Sequence, residues 1–323
     1  MSRAPTSTDQ GKFMSVNILF AGHSDRWPEY QPHLQEALDA AGIASNLACD
    51  IASDEVDYVI YAPNGPIEDF SPFTRAKAVL NLWAGVERII SNETLTQPLT
   101  RMVDAGLREG MREWVTGHVL RHHLGMDAHI VNPEREWHHV PAPLARRRPV
   151  TILGLGELGQ ACAEPLVSLG FPVTGWSRSQ KEAPGVRCLA GDEGLTEALT
   201  GAEIVVLLLP QTPATENILD AERLALLAPG AVVINPGRGP LIDDEALLAA
   251  LDSGHLGHAT LDVFRVEPLP EDHPFWSHPK VTVTPHIASE TRADTAAEVI
   301  VENIRRGEAG EPFLHLVDRK TGY

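Results

Sequence analysis

Short apolar runs, each closed by a glycine or proline turn and followed by an amphipathic stretch, repeat along most of this chain. From Val16, VNILFAG reads as a strand ending in a glycine turn, and residues 32–41 have helical spacing. Residues 56–61 form the next apolar run, closed by APNGP. AKAVLNLWAGVERI follows as a strand that breaks at Ala84 and Gly85. Residues 108–125 read as one long helix, and 131–149 as an irregular segment ending in three arginines. A second series then begins. Its strands are PVTILGLG, FPVTGW, AEIVVLLLP, AVVINPG, ATLDVF and VTVTPH, and its helices are ELGQACAEPLVSLG, residues 194–200, AERLALLAPG and DDEALLAALDSG. Strands alternating with helices imply parallel sheets with crossover helices, and the second series describes a doubly wound sheet. From Thr291 the chain is helical with no local strand to cover it, so it is expected to return to the first domain.

The 323 residues are long enough for two domains with real cores. At 43% hydrophobic and 22% charged, the composition is that of a globular protein. The formal net charge of −18 repels phosphate backbones and anionic lipid, which argues against nucleic acid or membrane partners. The longest apolar run, Ile204 to Leu209, is strand-sized, far short of a spanning helix. The opening MSRAPTSTDQGKF lacks the apolar core of a signal peptide and reads as loose, with Met14 as an alternative start. Three scattered cysteines, Cys49, Cys162 and Cys188, fit a reducing compartment, so a cytoplasmic location is expected. His118, His122, His123, His129, His138 and His139 crowd one region, but without H-E-x-x-H or a cysteine pair no metal is expected; solvated or interface histidines are.

The sharpest motif is Gly154-Leu155-Gly156-Glu157-Leu158-Gly159, which leaves an apolar strand and opens a helix. In that context G-x-G-x-x-G is a dinucleotide turn. The first glycine allows the tight turn, the second admits a pyrophosphate to the backbone, and the third lets helix and strand touch. About 20 residues on, where an NAD site carries an acid, the chain reads Ser177-Arg178-Ser179. Arg178 suits a 2′-phosphate that a carboxylate would repel, and the two serines add hydroxyls, so NADPH is expected over NADH. Three late strands end in chemically apt residues: Arg238 in NPGRG, Asp262 and Glu267 in LDVFRVEP, and His286 in TPHIA. An arginine suits a planar carboxylate and polarises a carbonyl. A histidine beside a carboxylate is held in one tautomer and can donate a proton.

In GLGELG, GWSRS, LLLPQTPAT, INPGRGPLIDDEALLAALDSGHL, LDVFRVEPLP and VTVTPHIAS the sequence resembles the D-isomer-specific 2-hydroxyacid dehydrogenases, most closely the glyoxylate/hydroxypyruvate reductase A type. The resemblance runs over nearly the whole chain from Val16. It implies two doubly wound parallel-sheet α/β domains: a flavodoxin-like substrate domain (15–117 with 291–323) and a Rossmann-type NAD(P)-binding domain (118–290). By that resemblance Arg238 binds the carboxylate and carbonyl of a 2-oxo acid, Glu267 supports His286, and His286 is the acid/base. Leu209, Pro210, Pro236, Asp262 and Ala288 would lie along the cofactor with the glycine turn, as would Arg238 and His286 themselves. Trp83, Ala84 and Gly85 resemble the family's carboxylate loop, and Trp137 a tryptophan that relatives contribute across a dimer interface, so a homodimer is expected. A non-catalytic cofactor-binding regulator on the same fold, or a dehydrogenase for another 2-hydroxy acid, are the alternatives.

Overall fold

The computed structural model describes residues 15–137 and 139–319; the opening residues through Met14 and His138 lie outside them. The chain divides into two compact units, at Asp104/Ala105 and again at Glu290/Thr291. The first unit carries β1 (Val16–Ala21), β2 (Ser45–Ala48), β3 (Tyr58–Tyr61), β4 (Ala78–Asn81) and β5 (Leu99–Thr100) in one parallel sheet. Its order is β2-β1-β3-β4-β5, the flavodoxin-like arrangement. The central strands β3 and β4 are buried at every position, which is why they read as continuous apolar runs. β2 and β5 are absent from the sequence reading. One is a polar, half-exposed edge and the other is two residues long, so neither has an apolar run to show.

Helix α1 (Trp27–Ala40) starts five residues before the expected 32, with Pro32 inside it. The returning C-terminal helix, named α8 below, spans Ala293–Ala309 and packs on α1. Its buried face is Ala293, Ala296, Ala297, Ile300, Val301 and Ile304, the spacing of an amphipathic helix. The Tyr58 hydroxyl donates to Glu308 at 2.7 Å and ties this helix to the sheet.

The second unit begins with α2 (Ala105–Leu124) and α3 (Asp127–Ile130). Its strands are β6 (Val150–Leu153), β7 (Val173–Ser177), β8 (Val186–Ala190), β9 (Ile204–Leu207), β10 (Ala231–Asn235), β11 (Leu256–Leu261) and β12 (Val281–Val283). The helices are α4 (Glu157–Ser168), α5 (Gly191–Leu199), α6 (Ala221–Leu224) and α7 (Asp244–Asp252). The sheet order is β12-β11-β10-β9-β6-β7-β8, parallel throughout. Seven strands replace the six expected: the partly exposed edge strand β8 carries Arg187 and has no apolar run. The two units divide at Asp104/Ala105, ahead of the expected 117/118. The later boundary would cut α2, which is one unbroken helix packed on α4, so the division falls at its start.

The histidines of α2 are packed into this unit rather than solvated. His122 Nε2 meets the Thr260 hydroxyl at 2.8 Å, His258 Nε2 meets that of Thr282 at 2.8 Å, and the two rings lie 5.0 Å apart. His123 is buried edge-on against Phe171, and His118 lies beside Trp114; His129 and His139 are exposed. Burial, with the neighbouring charge of Arg121, pushes His122 down to about 3 and His258 to about 4, against the pull of Asp127. Both rings therefore take up a proton near pH 6.5 in the unfolded chain but not in the folded one. Stability is full above about pH 6.5 and falls as the pH drops toward about 4. Discounted for partial exposure, the pair costs about 2–3 kcal/mol at pH 5. Thermal melts should show Tm falling from pH 7.5 to pH 5, and a His122→Gln/His258→Asn chain should lose much of that slope. An unchanged slope in the double variant contradicts the assignment.

Candidate active site

Parallel strands put all their carboxyl ends on one edge, and β6 is where this sheet's order reverses, since it pairs with both β7 and β9. The crevice at such a reversal is where doubly wound sheets bind nucleotides. The glycine turn leaves β6 at that point. Gly154 has φ +109°, and a side chain there would lie 2.4 Å from the Leu208 carbonyl oxygen. A side chain on Gly159 would lie 1.8 Å from the Gly154 carbonyl oxygen, so helix α4 can approach only as glycine permits. At Gly156 a Cβ would meet nothing within 4 Å. Two glycines thus shape the turn and the third faces open space at the N-terminus of a 12-residue helix, beside Glu157 and Leu158. That cradle fits a pyrophosphate.

The remaining expected residues follow the same edge. Ser177 ends β7, buried, and its hydroxyl donates to the Ser179 carbonyl at 2.8 Å, so its hydrogen is spent inside its own turn. Arg178 and Ser179 are exposed on that turn. Leu209 and Pro210 follow β9, and Pro236 follows β10, with Leu209 and Pro236 buried. Arg238 stands after β10 with Nη1 donating to the Gly237 carbonyl at 2.7 Å. Asn235 braces this loop: it donates to the Arg238 carbonyl at 2.9 Å and accepts from the Gly237 amide at 3.1 Å.

After β11 and β12 the chain builds the reactive pair. His286 Nδ1 lies 2.7 Å from Glu267 Oε2, and Glu267 Oε1 accepts the Phe264 amide at 2.9 Å. Burial raises the Glu267 carboxyl, but the bonds from His286 and Phe264 and the charges of His286 and Arg238 outweigh it and hold it below the usual range. An ionised Glu267 therefore accepts the imidazole hydrogen on Nδ1 and fixes the ring's tautomer. His286 has φ +55°, a left-handed conformation that costs a non-glycine residue about 1–3 kcal/mol. Asp262 holds it there. Fully buried, its carbonyl accepts the His286 amide at 2.8 Å, and its carboxylate accepts the Ile287 and Ala288 amides, both at 2.9 Å, and the Thr284 hydroxyl at 2.6 Å. Spacing alone gave no sign of this bracing role, because its partners lie 22 to 26 residues away.

In the first unit, Trp83, Ala84 and Gly85 form the turn that leaves β4 at Asn81, three residues before the expected break. Trp83 is 36% exposed, with the Arg88 guanidinium 5.9 Å from its ring centre. Among the described residues no group of three or more histidine, cysteine or acidic residues could hold a metal ion, and no helix is long and apolar enough to cross a membrane.

Known proteins resemble this chain in sequence and in fold. The model of the D-isomer specific 2-hydroxyacid dehydrogenase NAD-binding domain matches residues 117–288. A glyoxylate/hydroxypyruvate reductase A from Serratia proteamaculans is 41% identical over 96% of this chain and 97% of its own. One from Klebsiella pneumoniae is 41% identical over 95% of this chain and all of its own. Among solved structures, a D-isomer specific 2-hydroxyacid dehydrogenase from Xanthobacter autotrophicus, in complex with NADPH and MES, superposes with a TM-score of 0.90 at 42% identity, covering 96% of this chain and 100% of that one. An NADPH-dependent glyoxylate/hydroxypyruvate reductase from Sinorhizobium meliloti, with NADP and sulfate, does so at 0.82 and 33%, covering 96% and 100%. The chain belongs to the D-isomer-specific 2-hydroxyacid dehydrogenases, NAD(P)-dependent oxidoreductases.

Proposed function

We propose that the protein reduces small 2-oxo acids, glyoxylate and hydroxypyruvate above all, to 2-hydroxy acids with NADPH. The observation that carries this reading is the Glu267–His286 pair, built on the same sheet edge as the dinucleotide turn. When bound, the cofactor supplies a hydride for the substrate's carbonyl carbon. Arg238 takes the carboxylate and polarises the carbonyl oxygen, and His286 Nε2 gives that oxygen its proton as negative charge develops. Glu267 holds the ring and balances its charge. Leu209, Pro210, Pro236 and Ala288 line the cofactor's path, Asp262 braces the turn that carries His286, and the loop of Trp83, Ala84 and Gly85, with the amide that follows it, receives the substrate carboxylate.

The test is an assay of purified protein against a panel of 2-oxo acids with NADPH beside NADH. NADPH-dependent consumption of glyoxylate or hydroxypyruvate is expected. Tight cofactor binding without turnover of any 2-oxo acid would instead make the protein a non-catalytic regulator.

The cofactor preference is assigned to Arg178, exposed on the turn that follows β7. Arg178→Ala should raise the KM for NADPH by about 10- to 100-fold, the worth of one charge-assisted contact, and leave that for NADH nearly unchanged. Equal effects on both cofactors would retract the assignment.

A homodimer is supported by the segment at 124–144, which exposes Leu124, Ile130, Val131, Val140, Leu144 and, at 94%, Trp137. Sedimentation should give the mass of two chains, and Trp137→Glu should weaken the association. A monomer at every concentration contradicts it. The free cysteines fit the cytoplasm.

A further inference from the structure

Asn81 ends β4 at 1% exposure, directly after the buried Ala78, Val79 and Leu80. A polar side chain so deep is unfavourable unless it is bonded. Its amide nitrogen donates both hydrogens, to the carbonyl oxygens of Trp83 at 2.9 Å and of Gly85 at 3.0 Å. Its own oxygen has no partner in the structure. An asparagine whose acceptor is idle and whose two donors are spent on one loop acts there through its donors. No other side chain this short offers two hydrogens from a single atom.

The consequence follows from peptide geometry. A trans peptide is planar, with N–H directed opposite to the carbonyl it adjoins. Turning the Trp83 and Gly85 carbonyls toward Asn81 turns the Ala84 and Val86 amides away from it. The Met102 amide adds a second bond to the Trp83 oxygen at 3.0 Å, and the Thr291 hydroxyl holds the Leu82 oxygen at 2.8 Å, so three of the loop's carbonyls are fixed. Among the described residues, none accepts the amide hydrogens of Ala84, Gly85 or Val86. Amides left without an internal acceptor beside the small side chains of Ala84 and Gly85 suit an anion.

We propose that Asn81 is the positioning residue of this loop, orienting the Ala84 and Val86 amides to receive the carboxylate of the 2-oxo acid. The inference rests on the reductase reading and names the residue that presets its carboxylate subsite. Asn81 does not touch the substrate; it acts through the two carbonyls.

The test is the full-length Asn81→Ala protein. The KM for glyoxylate and the inhibition constant of oxamate should both rise about tenfold or more, while kcat at saturating substrate and the affinity for NADPH stay near wild type. A purely structural role predicts the reverse split, with fewer active molecules and an unchanged KM, and that result overturns the proposal. A variant that fails to fold leaves the decision to the wild-type chain with isotope-labelled amides. Oxamate added to the NADPH complex should shift the Ala84 and Val86 signals, and signals that stay in place overturn the proposal. Wild-type protein that binds NADPH but reduces no 2-oxo acid refutes the reductase reading instead. Oxamate shifts at Ala84 and Val86 in that protein would still uphold the loop's role, and their absence would remove it.

Discussion

Replacing His286 with glutamine lowers turnover by about 10²–10⁴-fold, the usual worth of a positioned acid/base, and leaves NADPH affinity close to wild type. The split follows from the geometry. The ring is fixed by one short bond from Nδ1 to Glu267, and its side chain is half exposed, so the change removes a proton donor without emptying a core. Glu267→Gln should give a smaller loss of the same kind. It keeps the shape but removes the charge that stabilises the imidazolium. Steady-state kinetics with fluorescence titration of NADPH separates the two effects. Turnover that survives His286→Gln, or that survives while cofactor binding is lost, would remove His286 from the chemistry.

Asp262→Ala is expected to be the more damaging change to the fold. The side chain is fully buried and its two oxygens serve two amides and a hydroxyl. Without it those donors are left buried and unpaired, a loss of about 3–5 kcal/mol. For a unit of this size that corresponds to a fall in Tm of roughly 10 °C. The same deletion releases the left-handed turn at His286, so the folded fraction should also turn over poorly. Asp262→Asn retains one acceptor oxygen and should fall between. An Asp262→Ala chain with wild-type Tm and activity would show that the turn holds itself without this carboxylate.

What the sequence could tell depended on whether the signal was local. The turn at Gly154 was legible because sterics there admit little else: a side chain at Gly159 would run into the Gly154 carbonyl oxygen. β6, β9 and β10 were legible because strands buried on both faces read as apolar runs. β8 and β2 are partly exposed edges with mixed residues, and such strands form because a neighbour offers a ladder, which no short window reveals. The long helix at 105–124 was visible as a helix, but its allegiance to the second unit is set by its contact with α4, a tertiary fact. Among the candidate site residues, Glu267 and His286 were legible through their types and order. The bracing by Asp262 and Asn235, and the two donors of Asn81, were not, because each depends on where backbone groups come to lie after folding.

In the proposed reaction a hydride passes from NADPH to the carbonyl carbon of a 2-oxo acid while His286 protonates its oxygen. The most direct test uses NADPH deuterated at its transferable position with hydroxypyruvate as substrate, and analyses the product by mass spectrometry and chiral separation. Deuterium is expected on the former carbonyl carbon of D-glycerate, with almost no product from the His286→Gln chain. Product formed without deuterium at that carbon, or at undiminished rate by the variant, would contradict the proposed reaction.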